Sequence, residues 1–208
     1  MSDRKPLLYL MRHGQTEFNA AHVVQGQCDS PLTPLGIEQA HEQGRWIASQ
    51  GISFSRICSS PLGRTRQTVG LVREELVAAA DGSHVPEIEI VPALIERSYG
   101  VFEKRPAADL PGDLWSPGEQ LVQYGGEGDV AVRARMVPAL VEVMRHADGG
   151  DVLAVSHGSA SRVFKNTWAA RARCDQDVVI GNCCVMVYEF DPVEGTFSNI
   201  LIHNLPQA

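Results

Sequence analysis

Short apolar segments alternate with longer amphipathic segments along this chain of 208 residues. Residues 7–11, 54–58, 88–91 and 152–156 have the length and apolar content of buried strands. Strands that alternate with amphipathic helices fold into an α/β sandwich around a parallel sheet. We therefore predict a single domain over residues 1–208: a three-layer α/β sandwich with a mostly parallel central sheet and helices on both faces.

The remaining segments complete this pattern. Apolar residues at helical spacing predict helices over residues 34–50, 61–76, 130–148 and 158–170. Pro138 lies inside the third of these helices and predicts a kink. The last apolar segments, residues 185–190 and 197–203, predict an antiparallel strand pair. Residues 103–126 are rich in proline, glycine and charge, and we predict a lid-like irregular insertion there.

Charge and cysteine content narrow the functional classes. The formal net charge is −7 and no run of Lys or Arg exceeds two residues, which argues against a protein that binds nucleic acid or anionic membranes. The first apolar run has only five residues, too few for a secretion signal or a membrane span. The five cysteines are odd in number and contain no C-x-x-C spacing. Free thiols are typical of a reducing compartment, so we predict a cytoplasmic protein.

Reactive polar residues follow three of the predicted strands. Arg12 and His13 follow the first strand, Arg64 lies one turn into the helix after the second, and His157 follows a later strand. Carboxyl ends of parallel strands meet at one edge of a sheet, so these side chains are expected to converge. Two arginines around a neutral imidazole suit phosphoryl transfer, in which positioned cations stabilise the charge on the transferred group.

Several segments resemble the motifs of the histidine phosphatase superfamily, which includes the cofactor-dependent phosphoglycerate mutases. R-H-G-Q-T-E-F-N at residues 12–19 resembles the signature R-H-G-x-T-x-x-N. Further segments similar to motifs of the family follow in the same order along the chain as in its members, at residues 29–36, 59–68, 94–103, 155–158 and 181–184. The fold expected from this resemblance is the phosphoglycerate mutase-like sandwich.

The resemblance implies a role for each matching residue. His13 would be phosphorylated, while Arg12, Arg64 and His157 would bind the phosphoryl group. Glu96 would protonate the leaving oxygen and then deprotonate water. The backbone carbonyl of Gly14 would orient the His13 ring. The other positions expected at the substrate site are Asn19, Gln25, Gly26, Tyr99 and Gly158.

Other features have plainer interpretations. The basic residues Arg66, Arg97, Arg133 and Arg135 are expected on solvated faces. Gly126-Glu127-Gly128 departs from the G-E-S of the family, and Glu127 is interpreted as a charge that complements a helix N-terminus. No metal-ligand spacing occurs, so we expect neither a metal nor an organic cofactor.

The leading hypothesis is a metal-independent phosphomonoesterase of the histidine acid phosphatase type, acting on a small phosphorylated metabolite as a monomer or homodimer. A phosphoglycerate mutase on the same site and an inactive phospho-ligand binding module are the alternatives. Specificity is expected from residues 22–30 and 97–126. In the latter segment, an apolar wall is expected from Tyr99, Val101, Phe102 and Trp115, and a preference for a second anionic group from Lys104 and Arg105.

Overall fold

A computed structural model describes residues 4–112 and 116–206, and its centre is a six-stranded mixed sheet. The strands are β1 (Leu7–Arg12), β2 (Phe54–Ser59), β3 (Ile88–Ile90), β4 (Asp151–Ser156), β5 (Val185–Asp191) and β6 (Thr196–His203). Their order across the sheet is β3-β2-β4-β1-β5-β6. The first four in this order are parallel to one another, and β5 is antiparallel to both β1 and β6.

Helices cover both faces of this sheet. Their bounds are α1 (Glu17–Ala20), α2 (Pro34–Ser49), α3 (Gly63–Ala79), α4 (Asp129–Arg145) and α5 (Gly158–Thr167). The apolar faces of α4 and α5 join one core cluster, and those of α2 and α3 join the other. Alternate residues of β1 enter opposite clusters, with Leu8 and Leu10 on one side and Tyr9 and Met11 on the other. The predicted α/β sandwich is therefore confirmed.

The strand register places the predicted site at one edge. Arg12 at the end of β1 is paired with Ser156 at the end of β4, and Ser59 at the end of β2 is paired with Val155. The backbone then turns into helices or loops that carry the polar side chains. Three parallel strands thus deliver their following residues to the same carboxyl edge.

Some helices differ from the expectations in where they begin or end, and one was not expected. Helix α3 begins at Gly63 rather than Pro61, because the Asp29 carboxylate accepts the Gly63 N–H at 2.5 Å and caps the first turn from another loop. Helix α4 ends at Arg145, before the glycine pair. Helix α1 was not predicted, although Thr16 and Asn19 form a capping box at its start.

The expected insertion is irregular where it is described. Residues 103–112 and 116–126 contain two short 3-10 turns, Ala107–Asp109 and Val122–Tyr124. Two backbone hydrogen bonds join the insertion to the loop that follows α1. Val24 N donates to Arg105 O at 2.8 Å, and Ala107 N donates to His22 O at 2.9 Å. Trp115 lies outside the described residues, so its expected place in an apolar wall stays a prediction.

Two further features follow from the described residues. None of the helices within residues 4–112 and 116–206 combines the length and apolar character needed to cross a membrane. All five cysteines are free thiols, and Cys183 and Cys184 face opposite core clusters. The cytoplasmic location and the oligomeric state stay predictions.

Candidate active site

His13 lies directly after β1 with its ring almost fully buried. Its Nδ1 is 2.8 Å from the carbonyl oxygen of Gly14, and its Nε2 is 3.2 Å from Nε of Arg64. A guanidinium only donates hydrogen bonds, so Nε2 must present its lone pair and Nδ1 must carry the proton. The backbone therefore selects the tautomer in which Nε2 is the nucleophilic atom.

Burial sets the charge state of this imidazole. Desolvation lowers the pKa of His13 well below its usual value, and the nearby positive charges of Arg64 and Arg12 lower it further. The hydrogen bond to Gly14 acts in the opposite direction but is the smallest of these effects. His13 is consequently neutral, and able to act as a nucleophile, at neutral pH.

Arg64 is held against His13 by a set of fixed acceptors. The guanidinium is buried, and its two terminal nitrogens donate to Cys28 O at 2.8 Å and Gly26 O at 2.7 Å. It also forms an ion pair with Asp29 at 3.1 Å. The aspartate that caps α3 therefore also fixes the arginine beside the nucleophile.

Arg12 approaches the site from the end of β1. It is buried, and its Nη1 donates to the carbonyl oxygen of Ile180 at 2.8 Å. Burial lowers the pKa of Arg12, while the charge of Glu96 raises it. Two guanidinium groups, on Arg12 and Arg64, thus lie within the electrostatic range of the His13 ring.

His157 lies at the N-terminus of α5, close to His13. The two ring centroids are 5.3 Å apart with the planes inclined by 64°, and Nε2 of His157 is 2.7 Å from the hydroxyl of Ser60. Among the described residues, Nδ1 of this buried ring has no hydrogen-bond partner. Burial, Arg64 and then His13 lower the pKa of His157, so this ring is also neutral near pH 7.

The Glu96 carboxylate is anchored at the same helix N-terminus. Oε1 accepts the backbone N–H of Arg97 and of Ala160, both at 2.8 Å, and Oε2 accepts that of Ser159 at 3.0 Å. Donors at a helix N-terminus suit a negative charge. Glu96 is therefore fixed in position while it still lines the cleft beside His13.

Most of the predicted site residues line one small cleft. It is lined by Arg12, His13, Asn19, Gln25, Glu96, Tyr99 and Gly158, together with Val23, Val24 and Ser159. The other predicted residues adjoin this cleft through His13: Gly14 and Arg64 contact its ring, His157 packs beside it, and Gly26 binds Arg64. All the predicted site residues thus lie at one place.

Two amides of the cleft are held in fixed orientations. Asn19 Oδ1 accepts the N–H of Thr16 and the side-chain amide of Asn182, both at 3.2 Å. Gln25 Oε1 accepts the Thr16 hydroxyl at 2.6 Å, and its Nε2 donates to Ser30 at 3.0 Å. The amides that line the cleft are therefore positioned by residues of the segment that follows β1 and by Asn182, just before β5.

The expectation that Arg97 and Arg135 lie on solvated faces is wrong. Arg97 is only 1% exposed, donates to the Ser159 hydroxyl at 2.9 Å and pairs with Asp129. Arg66 and Arg133 are exposed, as expected. The difference arises because the loop that carries Arg97 crosses the N-terminus of α4, where carboxylates and carbonyls surround its guanidinium.

Arg135 binds the backbone of the loop that carries Glu96. It donates to the backbone carbonyls of Ala93 and Ile95, both at 2.7 Å, and of Glu96 at 3.1 Å. Its Nε also donates to Glu127 at 2.9 Å, and Glu127 accepts the N–H of Ser98 at 3.0 Å. The interpretation of Glu127 as only a helix-terminal charge is therefore incomplete, because this carboxylate joins α4 to the loop of Glu96.

The expected specificity residues separate into different environments. Tyr99 lines the cleft, Phe102 packs into a small core cluster with Val24 and Leu121, and Val101 is exposed. Lys104 and Arg105 are exposed and do not line this cleft. Sequence reasoning assigned no role to Asp29, Ser60 and Thr68, although all three lie within the matching motifs; Thr68 accepts the Gly14 N–H at 3.1 Å.

Within residues 4–112 and 116–206, no three side chains of His, Cys, Asp or Glu are grouped so as to hold a metal ion. Among the described residues that line the cleft, the charged side chains are Arg12 and Glu96, and Arg64 contacts the His13 ring. Independence from metals and cofactors stays a prediction, which an assay in a chelator would test.

Known proteins share both the sequence pattern and the fold. The profile of the histidine phosphatase superfamily (branch 1) matches residues 8–201. A curated relative named "Probable phosphoglycerate mutase GpmB", from Yersinia pestis (strain Pestoides F), is 37% identical over 186 residues, 85% of this chain and 81% of the relative.

Solved structures resemble the chain along most of its length. Phosphoglycerate mutase from Bacillus anthracis str. Sterne has a TM-score of 0.76 at 22% identity, covering 95% of this chain and 92% of that one. The mycobacterial glucosyl-3-phosphoglycerate phosphatase solved with VO3 has a TM-score of 0.67 at 25% identity, covering 88% and 92%. These two likenesses establish the shared fold.

Proposed function

The chain belongs to the histidine phosphatase superfamily, and we propose that it is a phosphomonoester hydrolase that works through a phosphohistidine at His13. The observation that carries this proposal is the fixed tautomer of His13, with Nδ1 held by Gly14 and the lone pair of Nε2 beside Arg64. A neutral nucleophile among cations suits attack on a phosphoryl group, whose negative charge the arginines offset.

In the first proposed step, Nε2 of His13 attacks phosphorus and the bond to the ester oxygen breaks. Arg12 and Arg64 stabilise the charge on the phosphoryl oxygens. Glu96 enters this step protonated on Oε2, which accepts one backbone N–H where Oε1 accepts two, and gives this proton to the departing alcohol. The neutral ring of His157, packed 5.3 Å from His13 between centroids, adds a hydrogen-bonding group to the same oxygens.

In the second step, water attacks the phosphorus of the phosphohistidine. Glu96, now a carboxylate, accepts a proton from this water, and the P–N bond breaks to release phosphate. The backbone donors that hold Glu96 at the start of α5 keep it beside His13 through both steps. Each step moves one proton to or from Glu96, so the enzyme returns to its starting state.

A mutase activity is the second candidate, because the curated relative that is 37% identical carries the name of a phosphoglycerate mutase. A mutase must return the phosphoryl group to a second alcohol and hold the carboxylate of its product against water. Lys104 and Arg105 are the only basic residues of the insertion at residues 103–126, and both are exposed away from the cleft. This arrangement favours hydrolysis.

Trapping of the intermediate tests the proposal. Enzyme turning over a ³²P-labelled monoester is quenched, and we expect protein-bound label that survives alkali but is lost in acid. His13→Ala should abolish both label and turnover, whereas His146→Ala, at an exposed histidine outside the site, should retain them. Acid-stable label, or full activity of the His13 variant, would refute the scheme.

A second measurement separates the candidates. Phosphate release and the interconversion of 3- and 2-phosphoglycerate are followed on the same sample, in a chelator. Hydrolysis predicts stoichiometric phosphate with little interconversion, and a mutase predicts the reverse. Absence of both activities, with retained binding of phosphomonoesters, would indicate the inactive binding module.

A further inference from the structure

The segment at residues 179–184, just before β5, supports Arg12 and His13 through its backbone. The Arg12 guanidinium donates from Nη1 to the carbonyl oxygen of Ile180 at 2.8 Å. The N–H of Cys183 donates to the carbonyl oxygen of His13 at 3.1 Å. The position of this segment therefore bears directly on where the guanidinium of Arg12 lies relative to the nucleophile.

The side-chain amide of Asn204, which follows β6, binds this segment at two points. Its Nδ2 donates to the carbonyl oxygen of Val179 at 2.8 Å, and its Oδ1 accepts the N–H of Gly181 at 2.9 Å. Val179 and Gly181 are the residues immediately before and after Ile180. One amide thus fixes the backbone on both sides of the carbonyl that binds Arg12.

The two faces of the segment are held by different means. The side chain of Ile180 is buried in the core cluster that includes residues of α4 and α5, whereas that of Val179 is 70% exposed and supplies little packing. A Cβ at Gly181 would lie 2.9 Å from Oδ1 of Asn204, so the amide and the segment approach closely. On the outer face, the backbone is therefore held by hydrogen bonds to Asn204.

Asn204 is itself held in place by the residue that precedes it. His203 is paired with Val185 at the end of the β5–β6 ladder, and its ring stacks on Trp46 of α2 with centroids 3.8 Å apart and planes inclined by 6°. The amide is consequently fixed by both the sheet and α2. Asn204 lies beyond residues 8–201, which the family profile matches, so the resemblance assigned no role to it.

We propose that Asn204 is a positioning residue for phosphoryl binding, which acts by holding the Ile180 carbonyl that orients the guanidinium of Arg12. Asn204 does not line the cleft, so its effect must pass through Arg12. A guanidinium binds two phosphoryl oxygens at once only when its plane is correctly oriented. This inference rests on the proposed function, which assigns Arg12 to the phosphoryl oxygens.

A double-mutant cycle between Asn204→Ala and Arg12→Met tests the proposal. The probe is inorganic phosphate, whose dissociation constant is measured by NMR titration, together with kcat/KM for 4-nitrophenyl phosphate. Asn204→Ala alone should weaken phosphate binding and lower kcat/KM by about tenfold each, since a hydrogen bond contributes about that much. In the Arg12→Met protein, Asn204→Ala should change either quantity by no more than about twofold, because the group it positions is gone.

Two further variants separate hydrogen bonding from space filling and from general surface effects. Asn204→Asp keeps the shape of the side chain but places an oxygen against the Val179 carbonyl, so it should lose at least as much affinity as Asn204→Ala. Asn166→Ala removes an exposed amide of α5 and should leave both quantities unchanged. All measurements are made well below the melting temperature of each variant.

A crystal structure of Asn204→Ala provides a readout that does not depend on activity. We expect Nη1 of Arg12 to move out of hydrogen-bond distance of the Ile180 carbonyl, while Nδ1 of His13 stays on Gly14. An unchanged contact between Arg12 and Ile180 would overturn the proposal.

Three results in solution would also overturn it: unchanged phosphate affinity in Asn204→Ala, equal losses in both Arg12 backgrounds, or wild-type affinity in Asn204→Asp. The two proposals can fail separately. If the unmodified protein hydrolyses no monoester but the coupling in phosphate binding persists, the proposed function fails and the role of Asn204 stands. If hydrolysis is observed without any coupling, the role of Asn204 fails and the proposed function stands.

Discussion

Gly14 shows how one backbone position supports the nucleophile. Its carbonyl accepts Nδ1–H of His13, and its N–H donates to Thr68. A Cβ at this position would lie 2.4 Å from the carbonyl oxygen of Gly36, which belongs to the start of α2. The absence of a side chain therefore lets the loop after β1 cross α2 closely enough to orient the ring.

Gly14→Ala should accordingly lower both stability and activity. We expect overpacking to cost roughly 1–3 kcal/mol and the displaced carbonyl to reduce kcat/KM on the order of 100-fold. Both are measured well below the melting temperature of the variant. The control is Gly70→Ala, inside α3 with no atom within 4 Å of the added Cβ, which should gain roughly 0.5–1 kcal/mol. Unchanged kcat/KM in Gly14→Ala would show that the ring does not depend on this acceptor.

The residues next to His13 could be predicted from the sequence because the pattern that marks them lies in a few consecutive residues. An apolar run that ends in Arg12-His13-Gly14 marks both a strand and the point where it stops. The burial of Arg97 and Arg135 had no such signal, since their partners lie up to 62 residues away along the chain. Asp29 was also missed as a cap of α3, because a cap supplied by another loop leaves no trace at the start of the helix.

At the scale of elements, α4 fixes the loop that carries Glu96. Arg135 extends from α4 to three backbone carbonyls of that loop, including the one of Glu96 itself. It does not line the cleft, so it acts on the reaction by positioning Glu96. A proton donor matters most when the leaving alcohol is a poor leaving group.

Arg135→Met should therefore impair some substrates more than others. We expect kcat/KM for an alkyl phosphate to fall on the order of tenfold or more, and that for 4-nitrophenyl phosphate to fall much less, because nitrophenolate departs without a proton. Arg133→Met, at an exposed position of the same helix, is the control. Equal losses for both esters would indicate general unfolding or lost binding instead of a misplaced Glu96.

Helix α2 contains a polar side chain that its packing does not satisfy. Gln43 is fully buried, and among the described residues neither its amide oxygen nor its amide nitrogen has a hydrogen-bond partner. Its helical neighbours Ala40 and Ile47 belong to the core cluster on that face of the sheet. The desolvation of the amide is therefore not offset by hydrogen bonds.

Gln43→Met should stabilise the protein, because it keeps the length of the side chain and removes the buried amide. We expect a gain of about 1–2 kcal/mol in the free energy of unfolding, read from a higher denaturant midpoint at unchanged slope. The control is Gln39→Met, one turn earlier, which loses the acceptor of the Gln15 N–H and should give no gain. A lower midpoint for Gln43→Met would mean that the amide has a partner such as a buried water.

At the scale of the molecule, the same burial that creates the nucleophile makes the fold sensitive to acid. His13 and His157 both have pKa values well below the usual one, first because of desolvation and then because of nearby positive charges. In the unfolded chain each of these two imidazoles takes up a proton near pH 6.5, whereas in the folded chain it stays neutral at that pH. Protons bound by the unfolded state favour unfolding. The stability that the folded protein gains by keeping these two rings neutral is therefore fully present above pH 6.5 and is lost as the pH falls below it.

We predict that the free energy of unfolding falls between pH 6.5 and 5.5 with a slope of up to about 1.4 kcal/mol per pH unit for each of the two histidines. His13→Asn and His157→Asn should each remove about one such contribution, and the double variant should keep only the smaller slope of His203, whose partial burial also lowers its pKa. Urea denaturation at closely spaced pH values measures the slopes. The two rings lie 5.3 Å apart between centroids, so a first bound proton opposes the second and the contributions belong to the pair. A double variant that keeps the full slope would show that neither imidazole is held neutral, and the proposed nucleophile would lose its physical basis.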